Sequence, residues 1–95
     1  MKPSQYIKKG WTRGSLSRSA KGESAYCNPE TSVCWCALGA INASTDDYQK
    51  RSNIIYDLNV AIGNGKSRDP KSITIWNDFR ANQSEVIAAL ESIGQ

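Results

Sequence analysis

Apolar side chains in the C-terminal half of the chain recur at helical spacing. Tyr48, Ile55, Leu58 and Ile62 stand seven, three and four positions apart, which lines one face of an α-helix. Ser44 is the expected N-cap of that helix, with Asp47 three residues later as a near variant of the capping box, and Gly63-Asn64-Gly65 ends it. Val86, Ile87, Leu90 and Ile93 form the apolar face of a last helix, capped by Asn82, boxed by Glu85 and stopped by Gly94. Val33 to Ala43 is apolar nearly all round and reads as a buried central helix behind Thr31 or Ser32. Its Gly39 and Ala40 leave room for a close neighbour. Pro3 opens a short helix to about Lys9, Gly10 stops it, and Trp11 folds back on Tyr6 in the apolar contact of a Schellman ending.

Two stretches break this pattern. Residues 12–32 are rich in Ser, Gly and Thr, carry no helical period, and include a turn at Asn28-Pro29. A loop of this length in so small a domain is either functional or more structured than its composition suggests. Ser72 to Trp76 alternates in a β-branched run and reads either as a short strand or as an extended segment packed on helices. Asn77-Asp78 then reads as an Asx-turn. The expected fold class is mainly α: a small bundle of about four helices with a long ordered loop over 12–32 and a short extended piece near 72–76. The chain of 95 residues makes one domain, 1–95.

Composition narrows the setting. Apolar content of 39% with three Trp and four Tyr exceeds what a disordered chain carries. No run approaches the roughly 20 apolar residues of a membrane span. The basic start Met1-Lys2-Pro3 lacks the apolar stretch of a secretory signal, so the expected compartment is the cytoplasm, without membrane contact. The net charge of +3 is unevenly spread. Lys2, Lys8, Lys9, Arg13, Arg18 and Lys21 all precede the first acid, Glu23, so a basic N-terminal end adjoins a mildly acidic body. That split suits a polyanion or an acidic protein as partner, or simply a solvated basic edge.

Catalytic chemistry has little to build on. Histidine, the commonest general base and metal ligand, is absent. Cys27, Cys34 and Cys36 are an odd set, which fits reduced thiols, and their spacing offers no second zinc knuckle; no metal or cofactor is expected. Cys34 would sit near a helix N-terminus, where a thiol's pKa falls. Asp78 beside Trp76 could serve as a base. A small hydrolase using Asp78 or Cys34 is therefore an alternative, and a non-enzyme the primary reading. Gly63-Asn64-Gly65-Lys66-Ser67 follows a helix and lacks the upstream glycine of a phosphate loop.

The candidate contact residues are Lys8, Lys9, Trp11, Arg13, Arg18 and Lys21. Bases could meet phosphates while Trp11 stacks on a nucleobase, unless Trp11 is taken by Tyr6. Gly10-Trp11-Thr12, Trp35-Cys36-Ala37-Leu38-Gly39-Ala40-Ile41, Trp76-Asn77-Asp78 and Glu85-Val86 together resemble a family of small uncharacterised proteins from bacteriophages and bacteria, over about residues 10–93. The resemblance implies a phage or mobile-element accessory protein and carries over no catalytic residue. The function expected on these grounds is occlusion of a host protein or nucleoprotein complex, including anti-defence targets, through the basic N-terminal third. Direct binding of nucleic acid or a nucleotide is the alternative partner reading, and the oligomeric state stays open.

Overall fold

The computed structural model describes residues 1–28 and 30–95. Among these, the chain forms α1 (Pro3–Lys9), β1 (Ser17–Ser19), β2 (Ser32–Trp35), α2 (Ala37–Ser44), α3 (Tyr48–Ala61), α4 (Pro70–Phe79) and α5 (Gln83–Ser92). The mainly α expectation holds, with five helices among the described residues in place of about four. None of them is long and apolar enough to cross a membrane.

Several elements form as their sequences predict. Pro3 opens α1, where its missing N–H removes no helical hydrogen bond. Asn82 accepts from the Glu85 N–H while the Glu85 carboxylate accepts from the Asn82 N–H, closing the box ahead of α5. Val86 and Leu90 of α5 are fully buried with Ile7, Ile41, Leu58 and Ile73, one side chain or more from each helix. That shared burial is what holds the bundle together.

Several expectations are corrected. Ser72–Trp76 is helical within α4, not extended. Asp69 caps it by accepting from the Lys71 N–H, and Pro70 fills its first position; these start signals outweigh the β-branched run. Asn77 and Asp78 therefore lie in the last turn of α4 and make no Asx-turn. The run from Val33 divides: Ser32–Trp35 is strand and the helix begins at Ala37. Trp35 donates its N–H to Gly10 O at 3.0 Å and accepts from Thr12 N–H at 3.2 Å, which holds it extended. Cys36 caps α2 in place of Thr31 or Ser32, its sulfur accepting from Gly39 N–H at 3.3 Å.

The α3 cap is Asp47, whose Oδ1 accepts from Gln49 and Lys50 N–H, while Ser44 ends α2 and donates to Ile41 O. Gly10 is extended, with φ of 179°, so α1 has no Schellman ending. Tyr6 instead meets Trp35 edge-on, ring centroids 4.9 Å apart.

The long loop is ordered by pairing. β1 lies antiparallel to β2 with Ser17 opposite Trp35 and Arg18 opposite Cys34, and a bulge follows Arg18. Trp11 bridges to the other side of Trp35, so β2 is flanked by residues 10–12 and by β1. Behind the sheet, Leu16 runs so close to α2 that any side chain at Gly39 would overlap the Leu16 carbonyl. The turn expected at Asn28-Pro29 lies partly outside the described residues. Immediately before it, Tyr26 and Cys27 take left-handed φ values of 49° and 61°.

Candidate functional site

Three of the sequence motifs converge on one buried side chain. Asn77, fully buried, accepts through Oδ1 from the Trp11 indole N–H at 2.8 Å and from the Ala37 N–H at 2.9 Å. Its Nδ2 donates to Thr12 O at 3.1 Å and to Asp78 Oδ1 at 3.0 Å. The amide's two donors and two acceptor sites are thus filled, and none is left to address a ligand. This junction fixes the 10–14 segment, the start of α2 and the end of α4 against one another.

Beside the junction is a small cleft of about 210 Å³ lined by Ser15, Cys36, Thr74 and Asp78. Asp78 also accepts from Gly14 N–H at 3.1 Å. Burial pushes the Cys36 thiol up to about 11, in spite of the Gly39 and Leu38 amides that favour its thiolate. At neutral pH this sulfur is a protonated thiol and a poor nucleophile. Cys34, which the sequence suggests near a helix start, is in β2, and its thiol is directed to Arg18 O. Among the described residues, no three of Cys, Asp and Glu gather in a way that could hold a metal.

The basic N-terminal residues divide by role. Arg18 donates to Thr12 Oγ1, Gly22 O and Arg13 O, so its guanidinium braces the loop. Arg13 donates to Ala81 O at 2.7 Å and lies 4.6 Å over the Trp11 ring. Trp11 is held by Asn77, not by Tyr6. Lys8 meets Glu91 at 3.2 Å on the surface. Lys9 and Lys21 are exposed, with no carboxylate in reach among the described residues.

A larger cleft, of about 430 Å³, is lined by Trp35 of β2. Tyr6 and Trp35 supply aromatic wall, Arg51 and Asp46 the charged groups, and Tyr26 and Cys27 part of the rim. The Trp35 indole N–H is buried and has no acceptor among the described residues. A buried donor of this kind costs about 1–3 kcal/mol relative to a satisfied one. Tyr26 is 85% exposed although its ring is large and its backbone left-handed. Arg51 is held by Thr45 O and Asn42 O, so its guanidinium is fixed before any ligand arrives. Burial raises the Cys27 thiol, partly offset by the Ser17 hydroxyl and the Arg51 charge.

The sequence reading missed this cleft. Its residues come from α1, the long loop, β2, α2, the α2–α3 connection and α3, and no local spacing links them. The one available signal was the count of aromatic residues in excess of what the core absorbs.

No curated protein and no solved structure matches the chain. A family model matches residues 4–94, nearly the whole length, and its description is a family of unknown function, DUF6197. The Gly-Trp-Thr, Trp-Cys and Trp-Asn-Asp motifs and the residues of the aromatic cleft all fall within the match, and the protein belongs to that family.

Proposed function

We propose that this protein acts by binding a partner protein, with the Tyr6–Trp35–Arg51 cleft as the centre of the contact. The observation that carries the reading is the grouping of Tyr6, Trp35 and a pre-fixed Arg51 on one open cleft, with the 85% exposed Tyr26 ring beside them. Tyr, Trp and Arg are the side chains that dominate protein–protein contacts, because each combines large contact area with a polar end. All three line this cleft, and Tyr26 adds an exposed ring at its edge. Arg51 and Asp46 balance in charge, so the cleft offers nothing in particular to a polyphosphate. In the phage-type accessory role that the motifs suggest, this face would cover a surface of a host protein, and no chemistry of its own would be required. Asp78 and Cys34 then act in the fold.

Direct contact with nucleic acid is the second reading. It is favoured by Lys9 and Lys21, whose ammonium groups are exposed and unpaired among the described residues. It predicts binding that weakens steeply with salt, since phosphate contacts release counterions.

Trp35→Phe separates the two. It removes the N–H and shortens the buried aromatic wall, so stability should fall by about 1–3 kcal/mol, and binding is compared once circular dichroism shows the variant folded. Quantitative capture from nuclease-treated host lysate is expected to lose its partner with Trp35→Phe and with Tyr26→Ala. It should keep the partner with Lys9→Glu and Lys21→Glu. The reverse pattern, or loss of all capture on nuclease treatment, would overturn the protein-binding reading in favour of nucleic acid.

A further inference from the structure

A second groove, of about 240 Å³, shares Asn42 and Arg51 with the aromatic cleft. Leu38 of α2, Ile55 of α3 and Pro70 at the head of α4 give it an apolar floor, and Tyr48 lines it, 83% exposed. Its charged liners are Arg51 and Arg68, and no acid is among the lining residues. Both guanidiniums are fixed by neutral acceptors. Arg51 donates to Thr45 O at 2.6 Å and Asn42 O at 2.8 Å. Arg68 donates from Nη1 to Ser52 Oγ at 2.9 Å and Asn53 Oδ1 at 3.0 Å, and lies 5.0 Å over the Tyr56 ring. Arg51 has one carboxylate nearby, the fully exposed Asp46 at 3.6 Å, and Arg68 has none among the described residues. Nη1 of Arg51 and Nη2 and Nε of Arg68 are left without an acceptor among the described residues.

We infer that this groove takes an acidic segment of the partner protein, with an apolar side chain on Leu38, Ile55 and Pro70 and a carboxylate between Arg51 and Arg68. The inference rests on the protein-binding reading above and names the partner's chemistry. Charge complementarity selects the occupant: no acid lines the groove, Arg68 has no carboxylate in reach among the described residues, Arg51 has only the exposed Asp46, and a planar guanidinium grips a carboxylate through paired N–H groups. The apolar floor selects against a phosphodiester chain, which keeps its hydration, and favours a peptide that carries apolar and acidic side chains in sequence.

The test uses the full chain, ¹⁵N-labelled, and two blocked tetrapeptides, acetyl-Leu-Glu-Leu-Glu-amide and acetyl-Leu-Gln-Leu-Gln-amide. The acidic peptide should shift the amides of Ser52, Ile55 and Arg68 and the Arg68 Nε–H. The amide peptide should bind about tenfold more weakly, because the charge-assisted contacts are lost. Arg68→Gln should reduce acidic-peptide binding by a similar factor with the helical circular dichroism unchanged, and Arg68→Lys should not restore it. Trp35→Phe should leave peptide binding intact, so a failure of the neighbouring cleft reads out separately. Equal binding of the two peptides, shifts confined to residues away from α3, or tighter binding of a short oligothymidylate at Arg68 would each overturn the inference.

Discussion

Trp11 donates its indole N–H to Asn77 Oδ1 at 2.8 Å, across 66 positions of sequence. The same oxygen accepts from Ala37 N–H, at the first residue of α2. One buried amide therefore ties the segment after α1, the start of the central helix and the end of α4. Asn77→Leu keeps the branched shape, adds some bulk, and strands the Trp11 and Ala37 donors in the interior. It is expected to cost about 3 kcal/mol in urea unfolding, because each abandoned buried group carries its own desolvation penalty. Trp11→Phe, which removes one of those donors, should cost about 1 kcal/mol. In the double variant the losses should fall short of the sum, since Phe removes a donor that Leu would strand. Strict additivity would mean that the bond contributes nothing.

Gly39, in the first turn of α2, is a helical glycine whose replacement runs against the usual sign. Alanine ordinarily stabilises such a site by about 0.5–1 kcal/mol. Here a Cβ would overlap the Leu16 carbonyl, which itself accepts from Cys36 N–H at 3.0 Å and cannot withdraw without losing that bond. Gly39→Ala should lower stability by about 2 kcal/mol, the cost of overpacking. A rise in melting temperature would show that Leu16 moves aside freely.

How far the fold could be read in advance depended on whether each signal was local. The α1 and α5 boundaries were legible because Pro3, Asn82 and Glu85 act on backbone within three residues of themselves. The Asp69-Pro70 start of α4 was equally local but was outweighed by the alternation of Ser72 to Trp76. What decided that segment was burial of Ile73 and Asn77, one helical turn apart. The strand at Ser32–Trp35 was not legible, because its pairing comes from Gly10, Thr12 and β1, all more than ten positions away. The two buried asparagines were invisible for a related reason. Asn59 gathers Ser67 O, Asp69 O, Asn64 and Ser72 Oγ, as Asn77 gathers its own partners, and a polar residue's composition never announces that it will be buried. The aromatic cleft shares this origin, since six segments meet there.

Cys36 gives a pH signature that can be isolated. Burial raises its thiol from the ordinary 9.0 to about 11, so the folded state holds a proton that the unfolded state releases. The group's contribution is fully present below pH 9 and is lost as pH climbs from 9 to 11. The informative quantity is a difference between two variants. Cys36→Ser keeps a cap acceptor for Gly39 N–H and removes the titration. Wild type should therefore lose stability more steeply than Cys36→Ser across this window, with parallel curves below it. Parallel curves throughout would mean that the thiol ionises as readily folded as unfolded.

Arg18 and Lys21 are near neighbours with the same charge and opposite tasks. The Arg18 guanidinium bonds Thr12 Oγ1 at 3.0 Å, Gly22 O at 3.0 Å and Arg13 O at 3.1 Å, so three points of the long loop depend on it. Lys21 is exposed and bonds nothing among the described residues. Arg18→Gln should destabilise the protein by about 2 kcal/mol, as charge-assisted bonds to backbone carbonyls are lost. Lys21→Glu should stay within about 0.5 kcal/mol of wild type. The distinction decides how charge-reversal experiments on the basic third are read. Weaker partner binding in an Arg18 variant reports a displaced loop, and with it a displaced Tyr26 at the cleft rim. Weaker binding in a Lys9 or Lys21 variant of unchanged stability reports contact with a polyanion. Equal stability of Arg18→Gln and Lys21→Glu in thermal unfolding would remove the brace, and would return Arg18 to the set of side chains free to meet a partner.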